Sequence, residues 1–182
     1  MNKRNRAQVR LMRDYEEIQN DPPYGISASP TNMDDLFMWD AMISGPDDSP
    51  WEGGMFALQL RFSEDYPSVP PIVRFATPIF HPNVFSDGMV CLDIIKDKWS
   101  PVNTVSMILT SIQSLLNDPN PNSPANSEAA SLYVNNIREY KRRVRECAER
   151  SLQMNSCFVC SIKQPHQLQI RKANLQHFEF PY

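Results

Sequence analysis

Apolar residues recur at two different periods along this chain, and the switches between them divide it into segments. Across residues 4–19, Leu11, Tyr15 and Ile18 fall on one face at helical spacing, with Arg6, Arg10 and Arg13 at the same spacing on the opposite face. The pattern predicts an amphipathic helix. Asp21-Pro22-Pro23 ends it, because a residue before proline is pushed out of the α region. From residue 25 the period shortens. Residues 25–29, 37–44, 55–61 and 72–75 read as strands. The third alternates most clearly: Phe56, Leu58 and Leu60 against Ala57, Gln59 and Arg61. Pro30, Gly45-Pro46, Asp47-Asp48 and Gly53-Gly54 fall between the strands as turn residues, and such short links predict an antiparallel meander.

Residues 76–103 carry neither period, and a long loop inside a compact domain is more often functional than idle. Helical spacing returns over 104–116, where Val105, Ile108, Leu109, Ile112, Leu115 and Leu116 make a broad stripe suited to a central packed helix. Asn117-Asp118-Pro119 stops it, and Asn120-Pro121-Asn122-Ser123-Pro124-Ala125 reads as a stiff extended connection. Two more helices are predicted, over 126–134 and 136–151. The second turns Ile137, Tyr140, Val144 and Ala148 inward and Arg138, Lys141, Arg142 and Arg145 outward. Residues 152–182 lose all periodicity. The organisation expected is an α+β domain over 1–151 and a C-terminal extension, 152–182, that is disordered or only locally ordered.

Composition narrows the field. The 182 residues and 41% hydrophobic content suit one domain with a real core plus extensions. A formal net charge of −3 gives no global case for nucleic-acid binding. No apolar run approaches a bilayer's thickness, so no membrane role is expected. Four Cys and three His do not suggest a disulfide-stapled fold, and with no signal sequence the thiols are expected to be reduced and intracellular. Sixteen Pro against five Gly predict constrained connections.

The chemistry concentrates in His81-Pro82-Asn83-Val84-Phe85-Ser86-Asp87-Gly88-Met89-Val90-Cys91-Leu92-Asp93. A side-chain amide, Asn83, stands eight positions before a cysteine, with Pro82 and Gly88 imposing turns between them. A thiol near a fixed amide donor suits acyl transfer, in which sulfur attacks a carbonyl and charge grows on its oxygen. Cys91 reads as the nucleophile; the bland alternative is a small buried hydrophobe. Two roles stand open for Asn83, oxyanion donor or loop anchor. His81 reads as a loop-holding residue before it reads as a base. No histidine neighbours Cys91 as a dedicated base, which suits a transferase, since a poised base would also activate water. In the extension, Cys157 and Cys160 could begin a zinc site. His166 and His177 are too widely separated to complete it, so no metal is expected.

With these elements in this order, the chain resembles the ubiquitin-conjugating enzymes and their UBC fold over about residues 7 to 150. The likeness rests on Tyr66-Pro67 followed by Pro70-Pro71, on His81-Pro82-Asn83, on Cys91-Leu92-Asp93 and on Trp99-Ser100-Pro101. Within the family, Arg10-Leu11-Met12-Arg13-Asp14, residues 109–116 and residues 119–127 are similar to the branch serving post-replication DNA repair and histone monoubiquitination. Gln8, Val9, Ser68-Val69 and the extension differ from that branch. The resemblance implies that ubiquitin passes from its activating enzyme to Cys91 as a thioester, then to a substrate lysine with a RING-type ligase. ATP would be used by the activating enzyme, and no cofactor would be bound. It further implies catalytic roles for Cys91 and Asn83, with Ser123 at a gate position and Asp93 close by in sequence. Arg6, Arg10 and Arg13 would dock the activating enzyme, the same helix end together with Ser68, Pro101 and Val102 would meet a ligase, and Met107, Thr110 and Ser114 the donor ubiquitin. Ser27 would meet a second ubiquitin. Ser123-Pro124 also has the form of a proline-directed phosphorylation site. The cytoplasm and nucleus are the expected compartments.

Overall fold

A computed structural model describes residues 2–90 and 99–155. Its elements run α1 (Lys3–Asn20), β1 (Ile26–Asn32), β2 (Asp35–Ser44), β3 (Met55–Arg61), β4 (Ile72–Phe75), α2 (Val105–Asn117), α3 (Ser127–Asn135) and α4 (Ile137–Asn155). The strands form one antiparallel sheet in the order β1-β2-β3-β4, as the short turn-rich links require. In this α+β arrangement α1, α2 and α4 pack against the sheet.

Each helix begins where a polar side chain can take up its free amides. The side chains of Asn2, Thr104 and Asn126 accept from the backbone N–H of Asn5, Met107 and Ala129; each such cap stabilises its helix by about 1 kcal/mol. The predicted stripes then become the core. Leu11, Ile18, Leu58, Leu60, Leu109, Ile112 and Leu116 are all essentially inaccessible, each burial worth about 1.5–3 kcal/mol. Trp39 sits between Tyr15 and Phe62, with ring centroids 6.2 and 5.7 Å away.

The structure departs from the sequence reading in several places, β2 beginning at Asp35 among them. Residues 30–32 belong to β1, with Pro30 paired to Trp39 beside a register irregularity. Proline is tolerated there because β1 is an edge strand, where a missing N–H disrupts no central ladder. Ala57, expected outward with Gln59 and Arg61, is buried. Its carbonyl takes the N–H groups of Ala76 and Thr77, and its N–H donates to the Thr77 hydroxyl, as the chain leaves β4. The last helix runs to Asn155, not 151. Ser151 is fully buried, accepts from the N–H of Met55 and donates to Ala148 O, so the helix is pinned to the start of β3 at the point where it was expected to stop.

Candidate active site

After β4 the chain turns into the polar loop whose chemistry the sequence singled out. His81 is completely buried, walled on one side by Trp51 with ring centroids 6.0 Å apart. Its Nε2–H donates to Leu115 O at 2.9 Å, and its Nδ1 accepts from the N–H of Asn83 at 3.0 Å. These two contacts define a neutral ring with the proton on Nε2. Burial lowers its pKa from 6.5 to about 4, against the pull of the Leu115 carbonyl. A ring locked in this way holds a loop and is no general base.

Asn83 is equally buried and spends its whole amide on a neighbouring segment. Its Nδ2 donates to Asn120 O at 2.7 Å and Ser123 O at 3.3 Å, while Oδ1 accepts from Asn120 N at 2.8 Å. Pro82 O adds two acceptor contacts, from the N–H groups of Ala125 and Asn126 at 2.8 and 3.0 Å. Residues 120–126 are therefore strapped onto residues 81–83. This is the anchoring role the sequence left open. Both amide hydrogens are directed at carbonyls in this arrangement. Asn120 was missed by the sequence reading. Its contribution is made through backbone atoms, which carry no residue-type signal.

The path from Asn83 to the nucleophile is a tight turn. Phe85 N–H bonds Met89 O, Gly88 N–H bonds Phe85 O, and Asp87 Oδ1 accepts from Met89 N. Gly88 lies at φ +86°, and a Cβ there would stand 2.3 Å from Phe75 O, so only glycine closes the turn this near β4. The return limb docks on the sheet edge: Phe75 N–H bonds Gly88 O, and Val90 N–H bonds Val73 O. Val90 also bridges antiparallel to Val84, the residue after Asn83. Val90, buried and fixed on both sides, is the last described position before Cys91. Cys91 and Asp93 lie outside the described residues, as do Cys157, Cys160, His166 and His177.

Beside Val90 runs a groove of about 410 Å³ along α2. Met107, Thr110 and Ser114 all line it and are all exposed, so the structure gathers these three outward positions onto one surface that leads to the residue before Cys91. Ser123 is exposed at the strap, its hydroxyl without a hydrogen bond among the described residues. Ser27 is exposed on β1, paired with Met42, and is not part of this groove.

The chain matches the family model for ubiquitin-conjugating enzymes over residues 10–148. It belongs to that family. It is 55% identical over 145 residues to ubiquitin-conjugating enzyme E2 3 of Arabidopsis thaliana, a span covering 80% of this chain and 96% of that protein. It is also 55% identical over 142 residues to ubiquitin-conjugating enzyme E2 1 of Caenorhabditis elegans, covering 78% of this chain and 73% of that one. The protein is accordingly a ubiquitin-conjugating transferase, an enzyme whose family works between ubiquitin, its activating enzyme and ligases.

In this enzyme the surface residues anticipated from sequence divide into two groups. Arg6 and Arg13 are exposed on α1, and Ser68, Pro101 and Val102 are exposed as well, Val102 to 73%. The indole of Trp99 donates to Pro67 O at 3.0 Å, which brings the segment carrying Ser68 beside that carrying Pro101 and Val102. Arg10 departs from its expected place in an outward stripe. Its side chain is only 18% exposed, and all three of its nitrogens donate within the protein. The turn of the helix that exposes Arg6 and Arg13 carries Arg10 to the margin of the buried face, next to the inaccessible Asp14.

Proposed function

We propose that Cys91 accepts ubiquitin from the activating enzyme as a thioester and passes it to a substrate lysine with a RING-type ligase. The observation that carries this is the strap: Pro82 and Asn83 hold residues 120–126, His81 ties the same tripeptide to Leu115, and the next residue, Val84, bridges the pinned Val90, so the nucleophile's neighbour stands on a rigid base. The Cys91 thiolate attacks the carbonyl of the incoming thioester, a new C–S bond forms, and the activating enzyme's sulfur leaves as thiolate. A neutral lysine amine then attacks that carbonyl. A C–N bond forms, the C–S bond breaks, the amine proton passes to water, and Cys91 regains its thiolate. ATP is consumed by the activating enzyme upstream, and the transfer itself uses no bound cofactor.

In this reading Asn83 serves both its roles. Its 2.7 Å bond to Asn120 anchors the strap, and the longer 3.3 Å contact to Ser123 O is the one exchanged when charge develops on the thioester oxygen. Ser123 orients the amine as it loses its proton, a role the family resemblance extends to Asp93, which lies outside the described residues. Phosphorylation of Ser123 would add charge at this gate. Met107, Thr110 and Ser114 receive the donor ubiquitin, Ser27 a second ubiquitin, and Arg6 and Arg13 an acidic surface of the activating enzyme. Ser68, Pro101 and Val102 contact the ligase. Assignment to histone or DNA-repair targets, in nucleus and cytoplasm, rests on the resemblance of residues 10–14, 109–116 and 119–127.

The test is a single-turnover chase. Enzyme loaded with ubiquitin is mixed with free lysine, and the product is read by mass. A ubiquitin–lysine amide is expected; release of the free acid alone, at a rate independent of lysine, would make the protein a thioester hydrolase and refute the reading. Equal rates for wild type, Ser123→Ala and Ser123→Asp would remove Ser123 from the gate.

A further inference from the structure

We propose that Arg10 is a positioning residue that shapes the ligase-facing surface from beneath, in place of docking a partner itself. This rests on the reading of Ser68, Pro101 and Val102 as ligase contacts. The guanidinium sits at a junction of three chain segments. Nε donates to Asp14 Oδ1 at 2.8 Å within α1, Nη1 to Pro101 O at 2.6 Å and Nη2 to Asn103 O at 2.7 Å. The carbonyls of residues 101 and 103 thus turn inward onto one planar fork. The side chain between them, Val102, is left outside and 73% exposed. Only arginine offers two parallel donors at this spacing; a lysine is a single point charge on a mobile stem.

The same junction reaches the other ligase segment. Asp14 is 1% exposed, and its second oxygen accepts the Tyr66 hydroxyl at 2.5 Å. A buried carboxylate is costly without partners, so Arg10 and Tyr66 require each other around it. Arg10 also lies 5.6 Å from the Tyr66 ring centroid, and Tyr66 packs against Trp99 at 6.2 Å. Pro67, the next residue, accepts the Trp99 indole N–H, and Ser68 follows. Within the 99–103 loop, Asn103 N–H closes a turn onto Ser100 O, and just past it Thr104 both caps α2 and bonds Glu17 of α1. One guanidinium therefore sets the 99–103 loop, and through Asp14 and Tyr66 the approach to Ser68. Arg6 and Arg13, one turn away on either side, have no such contacts among the described residues and keep the docking role.

The experiment compares Arg10→Gln, Arg10→Lys, Tyr66→Phe and Arg13→Ala with wild type in full-length enzyme. Amide hydrogen exchange of Ser100, Val102 and Asn103 in the uncharged protein reports the loop directly. Arg10→Gln is expected to speed exchange of the Asn103 amide about tenfold, Tyr66→Phe and Arg10→Lys less, and Arg13→Ala not at all. Single-turnover discharge titrated with a RING-type ligase is expected to need about tenfold more ligase for half-maximal stimulation in Arg10→Gln. Its KM for the activating enzyme should rise less than that of Arg13→Ala. Unchanged exchange in Arg10→Gln overturns the proposal. So does a loosened loop with an unmoved ligase titration, or an activating-enzyme KM raised as much as by Arg13→Ala. If Arg10→Gln fails to fold, Tyr66→Phe, which removes only the hydroxyl on Asp14, carries the same test at smaller amplitude. Failure of the wild type to form a thioester would sink the proposed function, whereas the exchange measurement judges the loop independently of it.

Discussion

Acid should weaken this fold through one ring. His81 is buried and neutral, with a pKa lowered from 6.5 to about 4. Its Nδ1 accepts from the Asn83 N–H, so a second ring proton would face that donor at 3.0 Å. Above pH 6.5 neither folded nor unfolded chain protonates the ring, and its contribution to stability is complete. As pH falls below 6.5 the unfolded chain binds the proton first, so stability drops with pH until about pH 4, where the folded ring titrates too. At about 1.4 kcal/mol per pH unit, the loss is about 2 kcal/mol at pH 5 and about 3 kcal/mol at pH 4. The assay is urea unfolding of wild type and His81→Gln at neutral and acid pH. A glutamine amide can donate to Leu115 O and accept from Asn83 N without titrating, and effects of the carboxylates cancel between the two proteins. Between about pH 7.5 and pH 5 wild type should lose about 2 kcal/mol more than His81→Gln. A difference below about 0.5 kcal/mol would refute the reasoning, as would an imidazole titrating near 6.5 by NMR.

Other sites give sharper separations. Asn83→Ala should lower stability by about 2–4 kcal/mol in urea unfolding, since it orphans the N–H and C=O of Asn120; intact stability with a lysine-discharge rate down about a hundredfold would leave only the oxyanion role. Gly88→Ala should cost about 1–3 kcal/mol in thermal or urea unfolding, because its φ is +86° and the new methyl meets Phe75 O; near-neutral stability would mean that this turn is not constrained as described. The Tyr140 hydroxyl is buried with no hydrogen-bond partner among the described residues, so Tyr140→Phe should raise stability by about 1 kcal/mol, read as a higher Tm. A lower Tm would show that the hydroxyl has found a partner.

The parts of the fold that periodicity records were legible, and those that depend on distant polar contacts were not. Phe56, Leu58 and Leu60 alternate because one face of β3 is buried, and that pattern is written in consecutive residues. Asp14 and Arg10 are different. A carboxylate and a guanidinium on an amphipathic helix read as solvated, yet Asp14 is inaccessible because Tyr66, 52 residues away, meets it. Arg10 turns inward because its acceptors are carbonyls 91 and 93 residues on. Backbone acceptors leave no trace in residue type, so no spacing rule finds them. Pro30 misled for a similar reason, its turn propensity being overruled by pairing with Trp39 at a sheet edge. At the candidate site the tripeptide 81–83 was visible, while its target, the backbone of Asn120, Ser123, Ala125 and Asn126, was not.

One sulfur, that of Cys91, decides the chemistry. Wild type, Cys91→Ser and Cys91→Ala are each incubated with activating enzyme, ATP and ubiquitin and resolved with and without reducing agent. The predicted result is a reducible adduct for wild type, a reduction-resistant oxyester for Cys91→Ser and none for Cys91→Ala. A reducible adduct persisting in Cys91→Ala would place the thioester on Cys147, Cys157 or Cys160 and contradict the account.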